Sequence, residues 1–551
     1  MRVSNTSGGL KVQAIAGTYV VMLGFDLPQA NCQGLLGFSI HRSDVTENEA
    51  YYLEAMKAFA ETDPGFPAGS LYSTRDHPIQ SFQWADYSAK PGHRYVYTVT
   101  ALNGTPANLT PIASIAVTVD TEIRIGQIHE TYFNRGTAAS QEYVRRFGDR
   151  SPDKVANNKA FEWLSRGLYE AMTEFISSCV PGTHSLRIAA YEFNYGKLLD
   201  VIKMASDAGV DIQIIYDARK PKPGDDNRIA VATAGLQNIC TERTEGASYI
   251  SHNKFIVKIT NGVPEEVWTG GTNFSDGGIF GHSNVAHVVK DRAVAGEYLA
   301  YWNELEKDLK SPAMKTAVEA LTAVPPIPVP AGVSVIFSPR KSLNALNFYG
   351  NLAMSAVDGL FMTFAFGMNS VFKNVYQNSG ARLRMALMEK ATRPMEEGPE
   401  KTAEEQAIQT LRNMPENIFS IGDFVRVNTF DGWVKERLTG LNSNVRYVHN
   451  KFMLVDPLGS DPIVVVGSAN FSEASTKDND ENMIVIRGNK RVADIYMGEY
   501  MRLFSHFSFR ESLKWRKPND PPKPLRIDDW WADSFGNTER SSRRQFFSNA
   551  A

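Results

Sequence analysis

Two short runs in this 551-residue chain carry the residue types that phosphorus chemistry uses: His252-Asn253-Lys254-Phe255 and His449-Asn450-Lys451-Phe452. A single offset of 197 residues relates them, and the same offset carries Gly270-Gly271-Thr272-Asn273-Phe274-Ser275 onto Gly467-Ser468-Ala469-Asn470-Phe471-Ser472 without a gap. One His-x-Lys is an ordinary solvated strand pattern. Two copies, each followed at equal distance by Gly-x-x-Asn-Phe-Ser, are an internal repeat. In a strand, residues i and i+2 project to the same side, so each histidine reaches one surface together with its lysine. Two such halves facing each other would gather two imidazoles, two ammonium groups and two carboxamides in one cleft. Lys254, Lys451, Asn273 and Asn470 could then stabilise the oxygens of a pentacoordinate phosphorus, while one histidine attacks and the other protonates the leaving oxygen. A lysine beside each histidine opposes a bound cation, and no His-x-x-x-His or cysteine pair is present, so neither metal nor cofactor is expected.

These residues closely resemble the phospholipase D superfamily, whose mark is a duplicated H-x-K-x-x-x-x-D followed by G-S-x-N. His449, Lys451 and Asp456 match the second copy fully, as do Gly467, Ser468 and Asn470. The first copy departs, with Ile259 where the aspartate would stand. The resemblance covers about residues 125–510. It implies an α/β fold of two repeats sharing one active site, metal-independent chemistry, and a covalent phosphohistidine resolved by water or another alcohol. In Asn479-Asp480-Glu481-Asn482 the family supplies a glutamate that holds an imidazole; the residue 197 earlier is Asn284. The expectation is that Glu481 pairs with His449 and Asn284 with His252. A carboxylate favours the protonated ring and an amide does not. This makes His252 the nucleophile and His449 the general acid and then base. The family's tyrosyl-DNA phosphodiesterases are similar, with an amide partner on the nucleophile side and no aspartate in that motif. His282 and His287 are expected to be core-satisfied or solvent-facing. Asp217 and Arg219, at a strand end, stay outside the catalytic set.

The elements that must position these groups follow from pattern. Leu186–Tyr191, Lys197–Ala208 and Val210–Tyr216 read as a βαβ unit, and Phe452, Leu454, Ile256 and Val464–Val466 should seat the motif strands in a core. Val-Pro-Pro-Ile-Pro-Val-Pro between residues 323 and 332 can continue neither helix nor interior strand, and so reads as a stiff connector. Glu396–Arg412 is charged and helical in composition. Before residue 121 the pattern changes to short alternating runs broken by Gly, Pro and Asp, which suggests a β-sandwich. There Pro91-Gly92 leads into Tyr95, Tyr97 and Val99 on one strand face, and the segment resembles a fibronectin type III domain. The expected division is 1–121 (sandwich), 122–322 and 333–514 (the two repeats) and 515–551 (a tail). Because both repeats lie in one chain, a monomer can complete the site.

Composition narrows the partners. Lys plus Arg number 58 against 61 for Asp plus Glu, a net charge of −3, so the basicity of a dedicated nucleic-acid binder is absent. The three cysteines, Cys32, Cys179 and Cys240, lack metal or disulfide spacing and read as incidental thiols. No run of about 20 apolar residues spans a membrane, and Ala14–Phe25 reads as strand, not as a signal segment, so a cytoplasmic setting is the default expectation. A phospholipid headgroup ester leads as substrate, with membrane-surface contact through Phe364-Ala365-Phe366, Trp530-Trp531 and Arg543-Arg544-Gln545-Phe546-Phe547. A nucleic-acid phosphodiester is the alternative. A binding scaffold with a decayed site is the non-enzymatic one.

Overall fold

The structure is a computed structural model describing residues 1–63, 70–136, 141–148, 150–246, 249–393, 395–422, 447–515 and 523–550. Two seven-stranded mixed sheets share one strand order. In the first the sequence across the sheet is His129–Phe133, Val285–Val289, Val263–Gly270, Lys254–Thr260, His184–Ala190, Asp211–Asp217 and Cys240–Arg243. In the second it is Gly332–Ser338, Glu481–Arg487, Ile463–Gly467, Phe452–Val455, Gly359–Phe364, Leu383–Met388 and Asn417–Ile421. The protein is therefore a mixed α/β chain of two lobes consistent with a bilobed phospholipase D fold, and the repeat read in the motifs extends to whole sheets.

Strand alternation explains the layering. Phe255, Val257 and Ile259 of one lobe and Phe452 and Leu454 of the other enter a single shared core. The residues between them, Ile256 and Met453, face separate outer cores covered by helices. Helices Arg292–Glu306 and Lys490–Ser512 contribute Tyr298, Tyr301, Tyr496 and Tyr500 to the shared core. No helix or strand lies between Leu321 and Gly332, where the prolines withhold backbone donors. The charged stretch forms helix Pro399–Arg412.

The N-terminal region is antiparallel β. One sheet runs Arg2–Ser7, Leu10–Ala16, Val21–Asp26, Gln83–Asp86, and the other Asn108–Asp120, Arg94–Thr105, Gly37–Asp44, Glu49–Tyr52. Tyr95, Tyr97 and Val99 are all fully buried while Val96 and Thr98 are not, the alternation expected of this strand.

The C-terminal aromatics do not present an interface. Trp530 and Trp531 enter the N-terminal core, where the Trp530 indole donates to the Leu35 carbonyl at 2.7 Å. Helix Glu539–Ser548 lies against Val21–Asp26 so closely that a Cβ on Gly24 would fall 2.2 Å from the Phe547 carbonyl oxygen. Phe547 is fully buried, Arg543 donates to Gln83, and Arg544 is ion-paired with Asp26. Phe364 and Ala365 are core residues as well. Burial of aromatic area outweighs the polarity of the arginines, which satisfy themselves on the sandwich. Among the described residues, no helix is long and apolar enough to cross a membrane.

Candidate active site

Each histidine sits just before its motif strand, where two isolated parallel bridges join the lobes: Ser251 with Asp480 and Ser283 with Val448. In the first, His252 N donates to Asp480 O at 2.9 Å and Asp480 N to Ile250 O at 3.0 Å. In the second, Ser283 N donates to Tyr447 O at 2.8 Å and His449 N to Ser283 O at 3.2 Å. The offset of 197 maps one bridge onto the other, so the lobes meet about an approximate twofold.

This crossing corrects the expected pairing. Glu481 Oε2 lies 2.8 Å from His252 Nδ1, and Asn284 Oδ1 lies 3.0 Å from His449 Nδ1. The residue following each bridge partner is delivered to the histidine of the opposite lobe. Sequence offset identifies equivalent residues but not which lobe they face.

All of these groups are buried. Burial holds the His252 imidazolium down to about 4, although the Glu481 charge opposes the shift. Burial, with Lys451, His282 and Lys254, pushes His449 well below the usual histidine range. Burial lowers Lys254 to about 7, with Glu481, Glu192 and Asp217 resisting, and lowers Lys451 well below its ordinary value. The site is thus short of negative charge and suits an anion, whose arrival would restore the cationic forms. Lys451 Nζ donates to the His449 carbonyl at 2.7 Å, Lys254 donates likewise to His252 O, and its ammonium lies 5.0 Å from the Tyr191 ring centroid. The side-chain oxygens of Asn273 and Asn470 are buried without a hydrogen-bond partner.

Local sequence explains the placement of Asn273. A π-helical turn, Gly277–Gly281, follows it, and a Cβ on Gly278 would fall 2.6 Å from the Asn273 carbonyl oxygen and 2.7 Å from its Cβ. The Gly278 carbonyl also accepts the Asn284 amide at 2.7 Å. One glycine therefore seats both asparagines of this lobe, and π-turns of this kind recur at functional sites.

The remaining motif residues serve the frame. Asp456 lies away from the histidines, where one oxygen accepts from the backbone N–H groups of Val357, Asp358 and Gly359 at 3.1, 2.7 and 2.9 Å. Its counterpart Ile259 fills the shared core. Ser468 Oγ accepts from Asn482 N at 3.0 Å and fixes the strand that begins with Glu481.

Several contributors escaped the motif reading. Asp217 accepts the Ser251 N–H at 2.7 Å, and Glu389 accepts that of Val448 at 2.8 Å, so each lobe anchors the residue before its histidine on a strand-end carboxylate. The side chains of Asp217 and Arg219 are both buried. Arg219 and Arg243 donate to Asp480 at 2.9 and 2.6 Å inside the protein, bracing the residue before Glu481. In the first half the available signal was an acidic residue, Asp217, following the expected strand Val210–Tyr216; no strand was expected before Glu389. His282 is also at the site, its ring centroid 4.3 Å from that of His449. His287 is a core residue, as expected, bonded to His129 and Tyr496. Among the described residues, the one cluster able to gather three metal-ligating groups is Asp44, Glu47 and His93 in the N-terminal sheets, where Lys90 is ion-paired with Glu47.

Residues 172–306 and 425–504 match the family described as cardiolipin synthase, PLD-like domain. Those residues are thus similar to a PLD-like domain, and that match begins well after the N-terminal sheets. No curated protein matches the sequence. Solved structures with a similar fold include polyphosphate kinase from Porphyromonas gingivalis, at 8% identity and a TM-score of 0.40, covering 67% of this chain and 53% of that one. The chain therefore spans about half of that relative's length. Others are phosphatidylserine synthase from Haemophilus influenzae Rd KW20 (12% identity, TM-score 0.44, 62% of this chain and 85% of that one) and yeast tyrosyl-DNA phosphodiesterase (12%, 0.34, 58% and 86%). Likeness at these levels says nothing of substrate.

Proposed function

We propose that the protein is a metal-independent phosphodiesterase that works through a phosphohistidine on His252. The observation that carries this reading is the crossed pairing of two His-x-Lys motifs in one buried site, one imidazole on a carboxylate and the other on an amide. Glu481 accepts the Nδ1–H of His252, which leaves the Nε2 lone pair free to attack phosphorus and offsets the positive charge that grows on the ring. His449 has only the Asn284 amide, so its imidazolium is the stronger acid and yields its proton readily to a leaving alkoxide. The sequence expectation gave the two histidines the same roles from the opposite pairing; the geometry replaces that reason. Lys254, Lys451, Asn273 and Asn470 surround the transferring phosphoryl group and stabilise its oxygens, with Asn284 and Glu481 orienting the rings. Ser468 and Asp456 support these elements from outside.

For substrate we favour a phospholipid headgroup ester, hydrolysed to phosphatidic acid or transferred to a second alcohol, because the matched family is described by a phosphatidyl-handling enzyme. A nucleic-acid diester is the second reading. The buried C-terminal aromatics withdraw most of the sequence argument for a membrane-facing surface. The N-terminal sheets would form a fibronectin type III-like module; the backbone N–H of Lys90 donating to the Tyr95 hydroxyl at 2.9 Å, five residues upstream, supports that reading.

The test is to offer purified protein phosphatidylcholine and phosphatidylglycerol vesicles and, separately, single- and double-stranded DNA, in excess chelator. Headgroup release without DNA cleavage supports the lipid reading, and the reverse result overturns it. Activity that appears only on adding metal overturns the mechanism.

A further inference from the structure

The approximate twofold breaks beside the two catalytic rings. Tyr191 and Ala365 occupy equivalent places, each following the last residue of the corresponding strand, His184–Ala190 and Gly359–Phe364. Tyr191 packs its ring on His252, with centroids 4.9 Å apart. Ala365 offers His449 no ring from its own sheet. The ring His449 does have comes from the opposite lobe: His282, buried, 4.3 Å away centroid to centroid and inclined by 46°. The residue 197 positions on is Asn479, which sits beside Glu481 with its amide 3.4 Å from Oε1. His282 is firmly held. Its N–H reaches Gly277 O across the π-turn at 3.2 Å, and its carbonyl accepts from Asn134 Nδ2 at 2.8 Å. The Asn134 side-chain oxygen accepts the Asn284 N–H, also at 2.8 Å, so one asparagine sets the backbone on either side of Ser283.

We propose that His282 is a positioning residue for the general acid and base, the tilted ring packed against His449 that holds its Nε2 aimed at the leaving oxygen. A single hydrogen bond from Nδ1 to Asn284 leaves the imidazole free to turn about that bond. A second ring wedged against it at 4.3 Å, inclined by 46°, removes this freedom. The inference rests on the phosphodiesterase reading and specifies its leaving-group side. In the first step the His252 Nε2–P bond forms as the P–O bond breaks, and the departing oxygen takes the proton of His449 Nε2. In the second, water gives a proton to His449 Nε2 as its oxygen bonds phosphorus, and the N–P electron pair returns to His252. Both proton transfers depend on the aim of His449; the attack itself does not.

The experiment compares two phosphodiesters that differ only in leaving group, 4-nitrophenolate, which departs without a proton, and an alkyl alcohol, which needs one. Single-turnover rates are measured for wild type, His282→Ala and His282→Phe. Removing the ring should lower release of the alkyl alcohol roughly tenfold with KM little changed, slow hydrolysis of the adduct, and leave 4-nitrophenolate release near the wild-type rate. His282→Phe, which keeps the ring and discards both nitrogens, should recover most of the loss. Equal losses for both leaving groups, or no loss for either, would overturn the proposal. Wild type inert towards both diesters would instead remove the phosphodiesterase reading, and this inference with it.

Discussion

His252 and His449 are equivalent by descent of the repeat, yet their surroundings differ in kind. His252 has a carboxylate on Nδ1 and a tyrosine ring packed against it; His449 has an amide on Nδ1 and a histidine ring packed against it. A duplicated fold supplies two lysine-flanked imidazoles in mirrored positions, which alone would be interchangeable. On the proposed mechanism, differences at three pairs of positions, 481 against 284, 282 against 479 and 191 against 365, would make one ring the better nucleophile and the other the better proton donor. On that reading, symmetry builds the cleft and its local failures assign the roles.

The comparison breaks most severely if either histidine is removed, though in different ways. His252→Ala should lower turnover of any diester by about 10⁴-fold or more, whereas His449→Ala should spare the first step for a 4-nitrophenyl diester and stall at the adduct. Rapid-quench measurement of adduct and alcohol separates the two. Next in size, Glu481→Gln should cost about 10²-fold to 10³-fold, because the growing charge on His252 loses its partner, while Asn284→Ala should cost less. The pH dependence sharpens this. With a 4-nitrophenyl diester, kcat/KM should fall below about 4 as His252 protonates, and above about 7 as Lys254 loses its charge. The Glu481 carboxylate raises both groups, so Glu481→Gln should move both limbs to lower pH.

Gly278→Ala tests the seating of the first lobe alone. The new Cβ must push Asn273, whose backbone it meets, and a displacement near 1 Å should lower kcat up to about 10²-fold while overpacking of the buried turn costs about 1–3 kcal/mol of folding stability. Asp480→Asn tests the bridge that crosses the lobes. It leaves Arg219 buried without its charge partner and Arg243 with Asp308 alone, and chemical denaturation should show a loss of about 3–5 kcal/mol. The smallest effect on chemistry should come from Asp456→Asn, which weakens a turn of backbone donors far from the histidines. The first lobe manages with Ile259, so kcat should stay within about twofold of wild type while stability falls by about 1–2 kcal/mol.

Much of this was legible in the chain. The repeat was visible because the same residue types recur at His252, Lys254, Asn273 and their counterparts, and because the spacing between them is equal in the two copies. The strands Leu186–Tyr191 and Val210–Tyr216, the proline connector and the buried Tyr95–Tyr97–Val99 face followed from apolar runs, from alternation and from proline's missing donor. The crossed pairing was not legible, since an offset relates residues along the chain and carries no information on which lobe faces which. Glu389 was hidden for a second reason: it performs for Val448 what Asp217 performs for Ser251, but an insertion in the second lobe breaks the constant offset between these carboxylates. The tail misled because its Arg-Arg-Gln-Phe-Phe pattern suits both a lipid surface and an amphipathic helix docked on a sandwich, and only packing decides between them.

The central claim is that His252 carries the phosphoryl group. The direct measurement is to quench the wild-type protein during turnover of a labelled diester, digest under alkaline conditions that preserve phosphohistidine, and locate the label by mass spectrometry. The account predicts the label on His252, with more of it retained in His449→Ala. A label on His449, or an adduct that persists in His252→Ala, would contradict it.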